Sequence, residues 1–492
     1  MLVLEVDTRR NRVRFFRRRG SGRRSVYAPP IAIAERCPFN EEIIPVKSYS
    51  KAPFLSRMGV AAVFLSAALT SSLLGEGAAH SEISVAKDDD WELTVDGRLN
   101  AFFSYVQGDK TPSGVAAWTA GISDVADPNT GKIGSVRIRT GFIQNVLGAT
   151  FTKHVGENYK IVGRYSLWAG ASNERKPILG QQADVQAREA YLKIEAPWGT
   201  LLAGRDLGLF GRGGISMDAE IVHANGLGSP CTTQTILGGA CGFAGHGVLF
   251  PAFNAGFLYS TPKAAGLQAT LGLYDPSVNS ERSYEIAPYP RVEAQLTYNL
   301  RDIFKVFAEV MWQRLINNEP LKDSSGNPVL DTNGKPKDQI ADANGVSAGA
   351  SINLGVFQAG GAFYSGTGLT LIVPIFNTPI LSDANNILRK GQGFAGMAAL
   401  KFGDTKIAGG VGISQLKLTS AEQEPYSQVL PPKQQIGMSI GLYQTFFKQV
   451  IWAVEYFRGQ YSWYKYQATT SDPVITPTQN VNVVNTGLTL VF

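Results

Sequence analysis

From Trp91 to Tyr105 the chain keeps two parities apart. Trp91, Leu93, Val95, Leu99, Ala101, Phe103 and Tyr105 share one, while Glu92, Thr94, Asp96, Arg98 and Asn100 share the other. In an extended strand successive side chains leave on opposite faces, so this segment has one apolar and one polar face. The pattern returns at Val292, Ala294, Leu296, Tyr298 and Leu300 against Arg291, Glu293, Gln295, Thr297 and Asn299. It returns again at Phe304, Val306, Ala308, Val310 and Trp312 against Lys305, Glu309 and Gln313. At the end of the chain Val484, Thr486, Leu488, Leu490 and Phe492 oppose Asn485, Gly487 and Thr489. Charges at every second position would ruin the core of a soluble sandwich. They are ordinary lining where the inside of a barrel is water and the outside is lipid.

The punctuation between strands alternates as well. Short turns fall at 156–158, 197–199, 263–266, 299–302, 403–405 and 448–449. Long polar segments fall around 107–134, 171–183, 276–288, 317–343, 367–391, 420–433 and 466–480. Short turns on one rim and long loops on the other are the pattern of outer-membrane barrels. The expected fold is all-β: a transmembrane antiparallel β-barrel of sixteen strands, with fourteen and eighteen as the neighbouring counts. Closure leaves no strand with an open edge. Beyond residue 80 no uninterrupted apolar run is long enough for a helical span. The 53 glycines are dispersed, which suits a sheet with many turns and crowded walls.

Charge changes the picture only at the front. The formal net charge is +6, yet residues 1–57 alone hold 13 basic and 5 acidic residues, and from residue 80 onward 33 basic face 34 acidic. The basic excess therefore belongs to the leader, and a nucleic-acid-binding body is excluded. Lys51 and Arg57 precede an apolar stretch from Met58 of signal-peptide length, with small residues near Ala78 and Ala79 where a peptidase could cut. Residues 1–50 read as a basic leader or a mis-assigned start, 51–79 as a secretory signal peptide, and 80–492 as the barrel. Cys37 falls in the leader. Cys231 and Cys241, ten apart in an exported chain, read as a disulfide; a metal site would need His223 and His246 as further ligands. In the 317–343 segment Asp331, Asn333 and Asp338 superficially resemble calcium ligands, but turn chemistry accounts for them. Nothing points to a nucleotide, flavin or haem cofactor.

The segment from Asp184 to Asp206 contains Arg188-Glu-Ala-Tyr191, the tight turn Pro197-Trp-Gly199 and the strand end Gly204-Arg205. It resembles the general porin family of Gram-negative outer membranes, whose fourth and fifth strands carry such motifs. The resemblance implies a long third loop folded into the barrel, here about 207–250, followed by Phe253-Asn-Ala-Gly-Phe-Leu-Tyr-Ser-Thr-Pro262 as the sixth strand. It also implies a homotrimer in outer-membrane lipid that passes small hydrophilic solutes and ions. The terminal Phe492 resembles the signal by which the outer-membrane assembly machinery recognises its clients. The acidic Pro-Glu-Phe-Gly-Gly turn of many family loops is missing; Phe210-Gly-Arg-Gly-Gly-Ile-Ser-Met-Asp-Ala-Glu220 stands in its place.

A sixteen-stranded barrel leaves an aqueous channel, so an inward loop would set the limiting diameter. Asp206, Asp218 and Glu220 are the candidate acids on the loop side, with Arg212 a local counter-charge. Arg98, Arg137, Arg139, Arg164, Arg188 and Arg205 on early strands are the candidate basic wall. Opposed acids and arginines create a transverse field that orders water and favours dipolar solutes. Arg188 is the odd one, because it shares parity with Leu192 and Ile194. A substrate-specific porin with a solute site at the constriction is the near alternative. A barrel hydrolase is the distant one, with Ser216 paired to a loop histidine as its nucleophile.

Overall fold

The computed structural model describes residues 2–7, 12–17, 82–110, 112, 131–170, 185–230, 240–276, 287–323, 326–375, 381–383, 385–426, 432–467 and 469–492. The chain divides into two compact units, Met1–Leu73 and Leu74–Phe492. Within the first, Leu2–Asp7 and Arg12–Arg17 pair as an antiparallel hairpin. The expected signal peptide, 51–79, and Cys37 lie outside the described residues.

The second unit is a closed barrel. Its wall has sixteen positions: β1 Trp91–Gly108, β2 in two segments Ile133–Arg139 and Asn145–Val155, β3 Tyr159–Ala169, β4 Val185–Ala196, β5 Gly199–Leu207, β6 Phe253–Ser260, β7 Leu267–Tyr274 and β8 Arg291–Leu300. Next come β9 Phe304–Pro320, β10 Asp338–Asn353, β11 Phe357–Thr367, β12 Lys390–Phe402, β13 Thr405–Lys417, β14 Pro432–Phe446, β15 Val450–Trp463 and β16 Thr478–Val491. Every neighbouring pair is antiparallel, and β16 closes on β1 with Val491 opposite Arg98. The short strand Ile83–Lys87 pairs with β1 below that point. Phe492 finishes the seam: its N–H donates to the Gly97 carbonyl at 2.9 Å, and Gly97 N–H returns a bond to the Phe492 carbonyl at 2.6 Å.

The alternation decides which face meets lipid. Leu99, Phe103, Val136, Ile138, Leu271, Leu296, Val310, Phe394 and Val411 are exposed, whereas their sequence neighbours Asn100, Phe102, Arg139, Glu309 and Ala395 are buried. Among the described residues no helix is long and apolar enough to cross a membrane. Aromatic residues ring the short-turn rim. Tyr159, Trp198, Phe304, Phe357, Phe402 and Phe446 flank the tight turns, and Tyr259 donates its hydroxyl to the Trp198 carbonyl at 2.8 Å. A seventh short turn, between Asn353 and Phe357, adds to the six expected ones. The loop expected at 317–343 is shorter than its polarity implied, because β9 runs on to Pro320 and β10 starts at Asp338. Between them Asp331 caps its own turn, accepting the N–H groups of Asn333 and Lys335 at 2.8 and 2.9 Å.

Candidate functional site

β5 ends at Leu207 and the wall resumes at Phe253. Between them lie α1 (Arg212–Asp218), a π-turn (Ala219–His223) and a small pairing of Ser229–Pro230 with Ala240–Gly242. A helix this short cannot persist on propensity. The backbone donors leading into it and in its first turn are taken by the wall. Glu293 of β8 accepts the N–H groups of Leu209 and Phe210 at 2.7 and 2.9 Å, and Glu309 of β9 accepts those of Gly211 and Gly213, both at 2.7 Å. Further along, Glu455 of β15 accepts Leu227 N–H at 2.6 Å and the Tyr443 hydroxyl, also at 2.6 Å. Gly247 N–H donates to the Ser414 hydroxyl of β13 at 2.8 Å. All these wall groups have the parity opposite the exposed apolar residues. The segment therefore packs on the polar face of β8, β9, β13, β14 and β15.

Glycine makes that approach possible. A Cβ at Gly412 would lie 1.8 Å from the His246 carbonyl oxygen, and one at Gly226 would lie 1.9 Å from Glu455 Oε1. A side chain at Gly412 would push the segment off the wall, and one at Gly226 would displace the Glu455 carboxylate that holds it.

The three expected acids fare differently. Asp206 points inward on β5 and pairs with Arg212 at 3.1 Å, half-buried. Glu220 is exposed and meets Lys305 of β9 at 3.0 Å, while Lys406 of β13 donates to its backbone carbonyl at 3.3 Å. Asp218 is a correction: it is completely buried, 2.6 Å from His223 Nδ1, and accepts Phe243 N–H at 2.7 Å. It lines no passage.

The expected basic row also rearranges. Arg164 faces inward between two acids, 2.7 Å from Asp96 and 2.9 Å from Glu189. Arg98 donates to the Ala224 carbonyl and supports the returning end of the segment. Arg137 and Arg139 share the inward face opposite Ser104 and Phe102, and Arg139 is buried. Arg188 turns inward despite its parity, because it is the extra residue of a β-bulge between Ala187 and Glu189, where β4 shifts register on β3. Its guanidinium lies 4.8 Å from the Trp168 ring centre and 5.5 Å from that of Phe253. Arg205 drops out: it pairs opposite Ala190 and Ala255, on the outward parity of Leu201 and Ala203, and is exposed. Cys241 is buried within the segment, and Cys231 lies outside the described residues.

Sequence reasoning treated Glu293 and Glu309 as plain lining and did not single out Glu455. They hold the segment in place. The available signal was an inward glutamate on a strand facing a glycine-rich segment with free N–H groups. The setting of His223 was also missed. Its Nε2 lies 3.0 Å from Ser439 Oγ of β14, and Ser216 is exposed elsewhere. Asp218, His223 and Ser439 thus stand in hydrolase order, but His223 and Asp218 have no contact with solvent and Ser439 almost none. A substrate carbonyl has no room to reach the serine. Burial lowers the His223 pKa, the Asp218 charge and hydrogen bond raise it, and the net direction is up. Burial pushes His246 down to about 3.

A closed barrel with a lipid-compatible outside, a charged inside and a long segment on its inner wall defines an outer-membrane channel. Residues 62–461 match the family model described as Gram-negative porin, and the chain belongs to that family. Its fold is similar to the outer membrane channel DcaP of Acinetobacter baumannii, at 13% identity and a TM-score of 0.56 over 83% of this chain and 100% of that one. It is similar too to the anion-selective porin from Comamonas acidovorans, at 12% identity and a TM-score of 0.53 over 82% of this chain and 100% of that one. No curated protein sequence matches the chain. The protein lies in the outer membrane and is a channel for passive diffusion of solutes.

Proposed function

We propose that the 207–250 segment is the constriction of this porin, and that small hydrophilic solutes and ions pass beside it. Their path follows the inner face from the second segment of β2 to β8. The observation that carries this reading is the set of charges around Tyr191 on β4, which lies within electrostatic reach of Asp206, Glu189, Arg164 and Arg212. Acids and arginines alternate there in contact with water, so the path has strong local fields and little net charge. Such a path orders dipolar solutes and discriminates weakly between cations and anions. Asp206, Glu220 and Arg164 are the charges assigned to it. Arg98, Arg137, Arg139 and Arg188 support the wall beside it.

Three further parts of the reading go with the first. Family membership and the apolar outer face support a homotrimer. The disposition of the leader supports export through a signal peptide at 51–79, with the barrel from 80. Cys241 is in a disulfide-bonded state, which supports pairing with Cys231 and a stiffened far half of the constriction.

Single-channel conductance and reversal potential of the refolded barrel across a KCl gradient test the proposal. Ohmic steps with weak ion preference, enlarged by reductant, are expected. Very small conductance, or block by one class of solute, would point to a substrate-specific porin instead.

A further inference from the structure

The connection from β11 to β12 begins as an unusual loop for a membrane rim. Loops there are ordinarily polar and solvated. Here Leu369, Leu371, Ile372, Val373 and Ile375 are all buried. Leu369 and Ile375 pack in one apolar cluster with Phe210 and Leu249 of the constriction segment and with Met311 and Leu315 of β9.

Hydrogen bonds tie the same elements together. Phe250 N–H donates to the Ile372 carbonyl at 2.7 Å. The Tyr364 hydroxyl of β11 donates to Ser414 Oγ at 2.8 Å, and that oxygen is also the acceptor for Gly247 N–H. The turn itself is closed by Thr370 Oγ1 to the Val373 carbonyl at 2.6 Å and by Ile375 N–H to the Gly368 carbonyl at 3.0 Å. Ile375 has φ +48°, a conformation that a β-branched residue adopts only when its surroundings enforce it. The stem is held too: Arg389 N–H reaches the Leu381 carbonyl at 2.9 Å, Arg389 pairs with Glu422, and Thr419 Oγ1 donates to Asp383 at 2.5 Å.

We propose that residues 368–375 are a second element of the constriction: a clamp that wedges the 207–250 segment against the late wall and so sets the size limit of the channel. This rests on reading 207–250 as the constriction. Two loops joined by one apolar cluster move as one body, because a packed interface has discrete arrangements and does not deform continuously. Loosening the outer loop must therefore free the inner one.

The test is liposome swelling by the refolded full-length barrel with neutral sugars from mono- to tetrasaccharide, on proteoliposomes matched for folded protein. Ile372→Ser with Leu369→Ser should raise the tetrasaccharide rate relative to the monosaccharide rate about fivefold, while the monosaccharide rate changes little. The milder pair Leu369→Ala and Val373→Ala, which leaves the loop apolar enough to fold, should give an intermediate rise. Leu330→Ser, on an exposed residue in the 321–337 connection, should leave the ratio at the wild-type value. A wild-type ratio in folded Leu369→Ala/Val373→Ala protein would overturn the clamp. Wild-type protein that admits every sugar equally would instead remove the constriction reading beneath it.

Discussion

Lys193 on β4 and Met397 on β12 both point into the barrel from strands of the same design. Lys193 is half-buried and pairs with Glu195 at 2.7 Å, whereas Met397 is buried under the 207–250 segment. The contrast extends along both arcs. From the second segment of β2 to β8 most inward residues touch water, among them Thr150, Arg164, Tyr191, Thr270 and Gln295. From β9 to β16, and on into the upper half of β1, most of the inward face is buried, as at Phe307, Met311, Ala395, Met397, Phe457, Val481 and Phe102. One arc keeps most of its charges in mutual pairs, with Glu293 at its β8 edge already bonded to the loop. The other has spent its carboxylates on the backbone of a loop. A barrel interior thus follows two rules at once, and which rule applies depends on what is laid against it.

The comparison breaks most completely if the loop cannot seat. Gly412→Val places carbon against the His246 carbonyl, and overpacking of this kind costs about 3 kcal/mol; conductance should rise several-fold in barrels that still fold. Thr270→Leu on the water-facing arc should do the opposite and lower conductance slightly. Opposite signs from two added side chains would be hard to reconcile with a uniformly open barrel.

Removing a wall carboxylate comes next. Glu309→Ala orphans the N–H groups of Gly211 and Gly213, at a cost of about 2–3 kcal/mol. A lower unfolding midpoint with increased current noise is expected. Asp218→Asn weakens the buried contact with His223 and should cost about 1–2 kcal/mol while leaving reversal potential unchanged. A shift in ion preference in that variant would restore Asp218 to the passage.

Smaller effects sharpen the picture of the exposed arc. Arg164→Ala leaves Asp96 and Glu189 without their shared counter-charge, so the cation-to-anion permeability ratio should increase roughly twofold. An unchanged reversal potential would place the ions elsewhere. Least of all is the pH effect. His223 has a raised pKa in the folded protein, so its stabilisation is complete below the ordinary imidazole value of 6.5 and is lost as pH rises through the raised value. The difference in unfolding midpoint between wild type and His223→Asn should therefore shrink from mild acid to alkaline pH. A difference that grows with pH would reverse the assigned sign.

Much of this was legible in the chain. The parity of residues 91–105, 291–300 and 304–313 assigned inside and outside correctly, and the six short turns assigned the rims. Arg188 and Arg205 mark the limit of such reading. A bulge in β4 re-aims the first, and plain parity, applied to residues 200–206, already puts the second outside. The 367–391 segment misled because its Asn, Asp and Pro residues hide Leu369–Leu371–Ile372–Val373, four apolar side chains with no strand period to announce them.

The sequence by itself determined the barrel, since alternation is a local property that each strand satisfies alone and closure follows from the need to pair every edge. Only the tertiary structure decided which polar positions face water. Whether Glu309 lines a channel or binds a loop depends on segments nearly a hundred residues away, and no local pattern records that a glycine-rich stretch will come to lie over it.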